Sequence, residues 1–184
     1  NGKMGQTIGG VLSKGGASVQ MIGKDDTTPV GGDIVVLAVP YGALADIAAS
    51  RSGELKGKVV VDISNPLDFT TFDSLVVDPD SSATAELAGL LPESAVLKAF
   101  NTTFAATLAG GSVGESGPTT TVLIAGDDED AKERLIATIT AAGLRALDAG
   151  TLKRARELEA LGFLQLTLAS SEKVGWDAGF AVLS

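Results

Sequence analysis

The opening residues Asn1, Gly2, Lys3, Met4 and Gly5 match the last five positions of G-x-G-x-x-G, which places the motif's first glycine and its strand upstream of Asn1. In such a loop the second glycine lets the backbone approach a pyrophosphate and the third lets helix pack on strand. The helix N-terminus then aims free N–H groups at the anion. Gly2 and Gly5 would also serve a plain turn entering a helix, but a strand pattern follows that helix, as a βαβ unit requires. At the end of that next strand an NAD-binding chain usually carries Asp or Glu for the ribose 2'-hydroxyl, and here Gly23 and Lys24 stand instead. Lysine suits a 2'-phosphate. One charge-assisted contact of about 1.5 to 3 kcal/mol corresponds to about 10- to 100-fold in favour of NADP. Asp25 and Asp26 oppose that preference if they turn inward, and the other reading of Lys24 is a solvated turn residue.

Three further strand patterns end in polar or proline-containing turns: Ala38-Val39-Pro40-Tyr41, Ser64-Asn65-Pro66 and Phe100-Asn101-Thr102-Thr103. Ligands of open parallel sheets lie beyond the carboxyl ends of the strands, and these three turns are expected to share that one edge. Asn65 and Asn101 each bring an amide donor and acceptor suited to a carboxamide or a planar ring system. Taken singly, Asn-Pro is an ordinary turn initiator.

Residue types that are missing exclude whole mechanisms. Among 184 residues there is no His and no Cys, so Ser-His-Asp and Cys-His nucleophiles, thiol chemistry and His or Cys metal sites are ruled out. A Tyr and Lys pair four apart is ruled out too, because the only tyrosine, Tyr41, is followed at that spacing by Ala45. No catalytic acid stands out among the carboxylates. A pI near 4.4 and 4% aromatic residues argue against nucleic-acid binding. No apolar run reaches the length of a membrane span, and the lack of cysteine suits a reducing cytoplasm.

Continuous apolar runs of strand length alternate with helical patterns, the mark of strands buried on both faces of a mainly parallel sheet. The expected strands are 18–22, 33–39, 58–63, 95–100, 121–125 and 144–148, and the expected helices are 5–14, 43–50, 82–91, 129–142 and 152 to about 173. Asp127 or Asp128 caps the fourth helix, Gly143 closes it, and Gly15 and Gly16 close the first. Residues 110–117 read as an exposed loop. The reading is a single Rossmann-type, doubly wound α/β domain over residues 1–184, with helices on both faces of the sheet. Its first half is trimmed, because the crossover from Ile22 to Asp33 is too short for a helix and another strand. Leu158, Leu161, Phe163, Leu164, Leu166 and Leu168 give the long C-terminal helix more than one apolar stripe. Two covers are available for the second stripe: another copy of the chain, making a homodimer through segment 151–184, or the tail Trp176–Leu183 folded back.

The segments VVVDISNPLDF, SSATAELAGLLPESAVLKAFNTTFA and LDAGTLKRARELE, with NGKMG and DIVVLAVPY, resemble the NADP oxidoreductases related to coenzyme F420-dependent NADPH reductase. The likeness is greatest to the short bacterial members often called dinucleotide-binding enzymes. It implies that Gly2, Lys3 and Met4, with Asn1, bind cofactor phosphate, and that Lys24 faces the 2'-phosphate. It also implies that the turns at Val39-Pro40, Asn65-Pro66 and Ala99-Phe100-Asn101 surround the nicotinamide. The implied function is NADP(H)-dependent hydride transfer to a flavin, deazaflavin or similar planar small-molecule acceptor. Such chemistry asks the protein for proximity and orientation, so the absence of His is tolerable. The rival readings are a non-catalytic NADP(H) sensor or regulatory module and a purely structural α/β domain. An enzyme needs an open slot beside Phe100, Asn101 and Pro66; the tail around Trp176 and Phe180, or a neighbouring chain, closes that slot in a sensor.

Overall fold

The computed structural model describes residues 2–114 and 117–183, so Asn1 lies outside the described residues. Helix α1 (Lys3–Lys14) leads through a long segment without helix or strand into β1 (Ile34–Leu37), and a 3-10 turn (Tyr41–Ala43) opens α2 (Leu44–Leu55). There follow β2 (Val59–Asp62), α3 (Ala83–Leu90), β3 (Ala95–Lys98), α4 (Ala105–Gly110), β4 (Thr121–Gly126), α5 (Glu129–Ala141) and β5 (Arg145–Gly150). A second 3-10 turn (Leu152–Arg154) runs into α6 (Ala155–Ser170).

The five strands lie in sequence order in one sheet. β1, β2 and β3 are parallel, and their register sets Leu37, Asp62 and Lys98 in one row at the carboxyl ends. The fold is the expected Rossmann-type α/β arrangement with a mainly parallel sheet. The departure is β4, which runs antiparallel to β3 and parallel to β5. Its cause is α4: six residues rise about 9 Å, too short to carry the chain back along strands of about 13 to 20 Å. The chain therefore re-enters the sheet from the edge it left.

Alternate strand residues face opposite layers. Val61, Leu97, Val122 and Ile124 pack on Ile8 and Val11 of α1, Leu108 of α4 and Leu135 and Ile139 of α5. Val60, Val96 and Leu37 pack on Leu44, Ala48 and Leu55 of α2 and on Ala83 and Leu87 of α3. The end signals act as read. Asp128 accepts from Ala131 N–H at 2.9 Å, and Gly16 and Gly143 take φ of 95° and 87°, the left-handed conformation that glycine adopts without a Cβ penalty.

One expected strand is absent. Residues 18–22 form no regular element and pair with no strand among the described residues. Instead Val19 and Met21 lie against α1 at Gly9, and the Gln20 side chain bridges Pro29 C=O and Gly31 N–H, both at 3.0 Å. A strand needs a neighbour to take its backbone hydrogen bonds, and here side chains and helix contacts hold the segment. The helix expected at 43–50 continues to Leu55, the last helix stops at Ser170, and α4 was not foreseen.

The α6 stripe is also different from the apolar reading. Its buried residues are Ala155, Leu158, Glu159, Gly162, Gln165 and Ala169, while Leu164 stays half exposed. The tail crosses α4 rather than sealing the outer face of α6. Thr107 Oγ1 meets the carbonyls of Asp177 and Ala178 at 2.8 and 2.7 Å, Gly179 bridges Thr103, and Trp176 packs on Phe104 with ring centroids 5.2 Å apart. Trp176, Phe180 and Leu183 keep much of their surface exposed.

Candidate functional site

Among the described residues, helix α1 begins without a side-chain cap. Gly2 stands at its N-cap position and no acidic residue lies in the first turn, whereas α3 and α5 are capped by Ser82 and Asp128. The first N–H groups of α1 therefore keep their partial positive charge for an outside acceptor. Gly2 has open space where a Cβ would stand, and a Cβ on Gly5 would come 3.2 Å from Ala38 Cβ. These are the two glycine roles expected of a pyrophosphate loop. The second of them seats the helix start beside the end of β1, next to Val39, Pro40 and Tyr41.

Lys24 is exposed and makes no ion pair or hydrogen bond among the described residues. Asp26 does not turn toward it. Its carboxylate accepts from Thr28 N–H at 2.9 Å and from the Thr28 hydroxyl, which hold it below the usual carboxylate range. Helix α2 ties this loop down: Arg51 donates to Thr28 C=O at 3.1 Å, and Glu54 accepts from Val30 N–H at 2.7 Å. Gly23 accepts from Asp26 N–H at 3.2 Å in the turn that presents Lys24.

The three turns do share one edge, but they differ in access. Pro40 is exposed, Val39, Tyr41 and Asn65 are half-buried, and Pro66, Ala99, Phe100 and Asn101 are buried. The Tyr41 hydroxyl donates to Glu86 Oε2 at 2.6 Å; that bond, then burial, pushes the phenol pKa up to about 12. Phe100 holds φ of 63°, a left-handed conformation that a bulky side chain adopts only when its surroundings over-determine it. Its carbonyl accepts the Thr103 hydroxyl at 3.0 Å.

The two asparagines meet, and they are largely spent on each other. Asn65 Nδ2 donates to Asn101 C=O at 3.0 Å, and Asn101 Nδ2 donates to Asn65 Oδ1 at 2.9 Å and to Leu158 C=O of α6 at 2.8 Å. Asn101 Oδ1 is buried without a partner, as is the neighbouring Ser64 Oγ. Helix α6 lies directly over the pair: a Cβ on Gly162 would fall 2.4 Å from Asn65 Oδ1 and 3.0 Å from Asn101 Nδ2. It is α6, through Gly162, that covers Asn65 and Asn101. Two surface concavities, of about 540 and 310 Å³, lie elsewhere, at the amino ends of β2 and β3 and between α1, α4 and α5.

Beneath this edge sits a cluster that no motif announced. Lys98 Nζ is fully buried and donates to Asp62 Oδ2 at 2.7 Å, Glu159 Oε1 at 2.9 Å and Ser64 C=O at 2.6 Å. Asp62 accepts from Ser64 N–H and the Thr84 hydroxyl, both at 2.8 Å, and Glu159 accepts from Ala83 N–H at 3.0 Å at the start of α3.

Comparison with known proteins matches this arrangement to one family. Residues 16–66 fit the family model "NADP oxidoreductase coenzyme F420-dependent". The F420-dependent NADP reductase of Methanocaldococcus jannaschii is 31% identical over 156 residues, covering 82% of this chain and 69% of that protein. The chain belongs to this family of NADP-dependent oxidoreductases. The rat metalloreductase STEAP3 is 34% identical over 128 residues, covering 70% of this chain and 24% of that protein. A candidate F420-dependent NADP reductase from Arthrobacter sp. FB24 superposes with a TM-score of 0.81 at 22% identity, covering 100% of this chain and 96% of that structure.

In this NADP oxidoreductase the Lys98 cluster has a signal in the sequence. Asp62 and Lys98 are charges ending runs of otherwise apolar strand, VVVD and AVLK, and a buried charge needs a partner. Burial raises the Glu159 carboxyl above its ordinary value of 4.5, against the pull of Lys98. Between the ordinary and the raised value the native protein keeps a proton that the unfolded chain has shed, so stability falls as pH rises through that window. Glu159→Gln removes this dependence. In urea unfolding at stepped pH, the stability of the wild type relative to Glu159→Gln is expected to decline from just below pH 4.5 upward; a pH-independent difference would contradict the raised carboxyl.

Proposed function

We propose that this oxidoreductase binds NADP(H) along the carboxyl edge of β1 to β3 and passes hydride between the nicotinamide and a flavin, deazaflavin or similar planar acceptor. The observation that carries the reading is the uncapped start of α1, packed through Gly5 onto Ala38, on the edge where the three turns gather. The amides of Lys3 and Met4, with Gly2, receive the pyrophosphate, and Lys24 pairs with the 2'-phosphate. When bound, NADP(H) supplies a hydride donor or acceptor at its nicotinamide ring. Pro40 and the half-buried Val39, Tyr41 and Asn65 are the turn residues a ring can reach, while Ala99, Phe100, Asn101 and Pro66 shape that wall from behind. Tyr41 keeps its proton at neutral pH and is held by Glu86, so it orients rather than exchanges protons.

A specific observation favours a second reading. Because α6 covers the Asn65–Asn101 pair, a second ring would approach from the exposed rim, and a protein that only senses NADP(H) would need no such approach. We also propose that residues 1–184 act as one domain that pairs with a second copy through segment 151–184, where Leu164 is left uncovered. No described helix is long and apolar enough to cross a membrane, and the lack of cysteine suits a cytoplasmic setting.

Three measurements test these assignments. In calorimetric titration, Lys24→Glu is expected to weaken NADP by about 10- to 100-fold while changing NAD little; equal losses would remove the 2'-phosphate contact. With NADPH and a panel of FMN, FAD, deazaflavin, quinones and ferric chelates, oxidation of the nicotinamide is expected with a planar acceptor. Tight NADPH binding without turnover on any of them would leave the sensor reading. Analytical ultracentrifugation at micromolar concentration is expected to give a dimer, and a monomer there would eliminate the pairing.

A further inference from the structure

The buried cluster under the site raises a question that binding of the cofactor does not answer. An ammonium has three protons, and Lys98 places each on a separate acceptor: Asp62 on β2, Glu159 on α6 and the backbone carbonyl of Ser64. All of the side chains involved are sealed from solvent. No proton is left over for exchange with a ligand, so Lys98 is unsuited to acid–base work. What its third bond does is mechanical. Ser64 is the first residue of the Ser64-Asn65-Pro66 turn, and that turn is gripped twice, at its N–H by Asp62 Oδ1 and at its C=O by Lys98.

The consequence reaches the rim of the site. Asn65 follows Ser64 directly, and its amide fixes Asn101 in the turn after β3, two residues beyond Lys98's own neighbour Ala99. Register in the sheet already places Asp62 beside Lys98, so the ammonium joins both turns at their roots. Glu159 adds the cover: it draws α6 down onto the cluster and also receives the Ala83 amide at the start of α3. We propose that Lys98 is a positioning residue for hydride transfer, setting the Ser64-Asn65-Pro66 turn against the Phe100-Asn101 turn so that the nicotinamide wall has one fixed shape. This role rests on the NADP(H) reading of the site.

It predicts a separation between the two ends of the cofactor. The pyrophosphate and 2'-phosphate contacts proposed at Gly2 to Met4 and at Lys24 stand on α1 and the loop before β1, outside the cluster. Loss of the Ser64 grip should therefore spare them and disturb only the nicotinamide end. A misplacement of about 1 Å by a residue that touches no reacting atom can cost about 100-fold in rate.

The experiment uses the full chain with Lys98→Met and with the pair Lys98→Met and Asp62→Asn. The single substitution leaves carboxylates buried without their cation and risks failure to fold. The pair removes one charge of each sign and keeps an acceptor for Ser64 N–H, but does not restore the Ser64 carbonyl bond. Circular dichroism establishes which variants fold. The affinity for 2'-phospho-ADP-ribose, a nicotinamide-free probe, is read by calorimetry, the environment of the ring by the fluorescence of bound NADPH, and turnover by kcat and KM with FMN as acceptor. In the folded variants the probe should bind within about threefold of wild type, the fluorescence change of NADPH on binding should be lost or much reduced, and kcat should fall about 10- to 100-fold with little change in KM. Wild-type fluorescence in the paired variant would overturn the role, because charge balance alone would then account for Lys98. If the wild-type protein itself fails to bind 2'-phospho-ADP-ribose, the cofactor site is wrong and this role falls with it.

Discussion

Removing an ammonium and two carboxylates from water costs several kcal/mol per ion, so such a group persists only where its geometry and hydrogen bonds are close to complete. In this fold that requirement is met at Lys98, and much else follows from meeting it. β2 and β3 must pair in the register that sets Asp62 beside Lys98. Helix α3 must start where Ala83 N–H and the Thr84 hydroxyl can reach Glu159 and Asp62. Helix α6 must descend far enough for Glu159 to arrive, and that close approach is possible only because position 162 is glycine, over the Asn65–Asn101 pair. An apolar stripe alone would not place α6 so closely; its buried face includes a glutamate, a glycine and a glutamine, while Leu164 faces outward.

The same edge divides its work by physical type. At the end proposed for the phosphates the means are electrostatic and cheap in side chains: backbone amides at the start of α1 that no side chain caps among the described residues, and a lysine on a loop that Arg51 and Glu54 hold in place. At the other end the means are steric: turns fixed by amide pairs, a phenylalanine held at positive φ and a helix laid across them. This division fits a chain with no His and no Cys. The hydride transfer proposed above would ask for two rings held in contact, and rigid walls would supply that without a side-chain nucleophile.

Much of this was legible in the residues. The apolar runs ending in VP, SNP and AFN located the strands and the edge on which the turns gather, and Gly2 and Gly5 located the start of α1 and its close approach to Ala38, because each reflects a local rule of backbone geometry or burial. The family likeness carried in the same segments agrees with the relatives found. Residues 18–22 misled for a related reason: strand propensity is local, but a strand exists only if a neighbour takes its hydrogen bonds, and here none among the described residues does. The direction of β4 was likewise out of reach, since it turns on how far a six-residue helix carries the chain.

The sequence by itself therefore determined the class of fold, the edge on which the turns gather and the chemistry that the composition permits, all of which depend on residue type and short spacing. Tertiary structure alone decided which polar groups remain free. Asn65 and Asn101 read as ligands for a ring and prove to be partners for each other, and Asp62, Lys98 and Glu159, up to 97 positions apart in the chain, read as unrelated charges and prove to be one buried unit. A hydrogen-bonding group has a limited number of partners, and which of them it meets is fixed by packing between elements rather than by its neighbours along the chain.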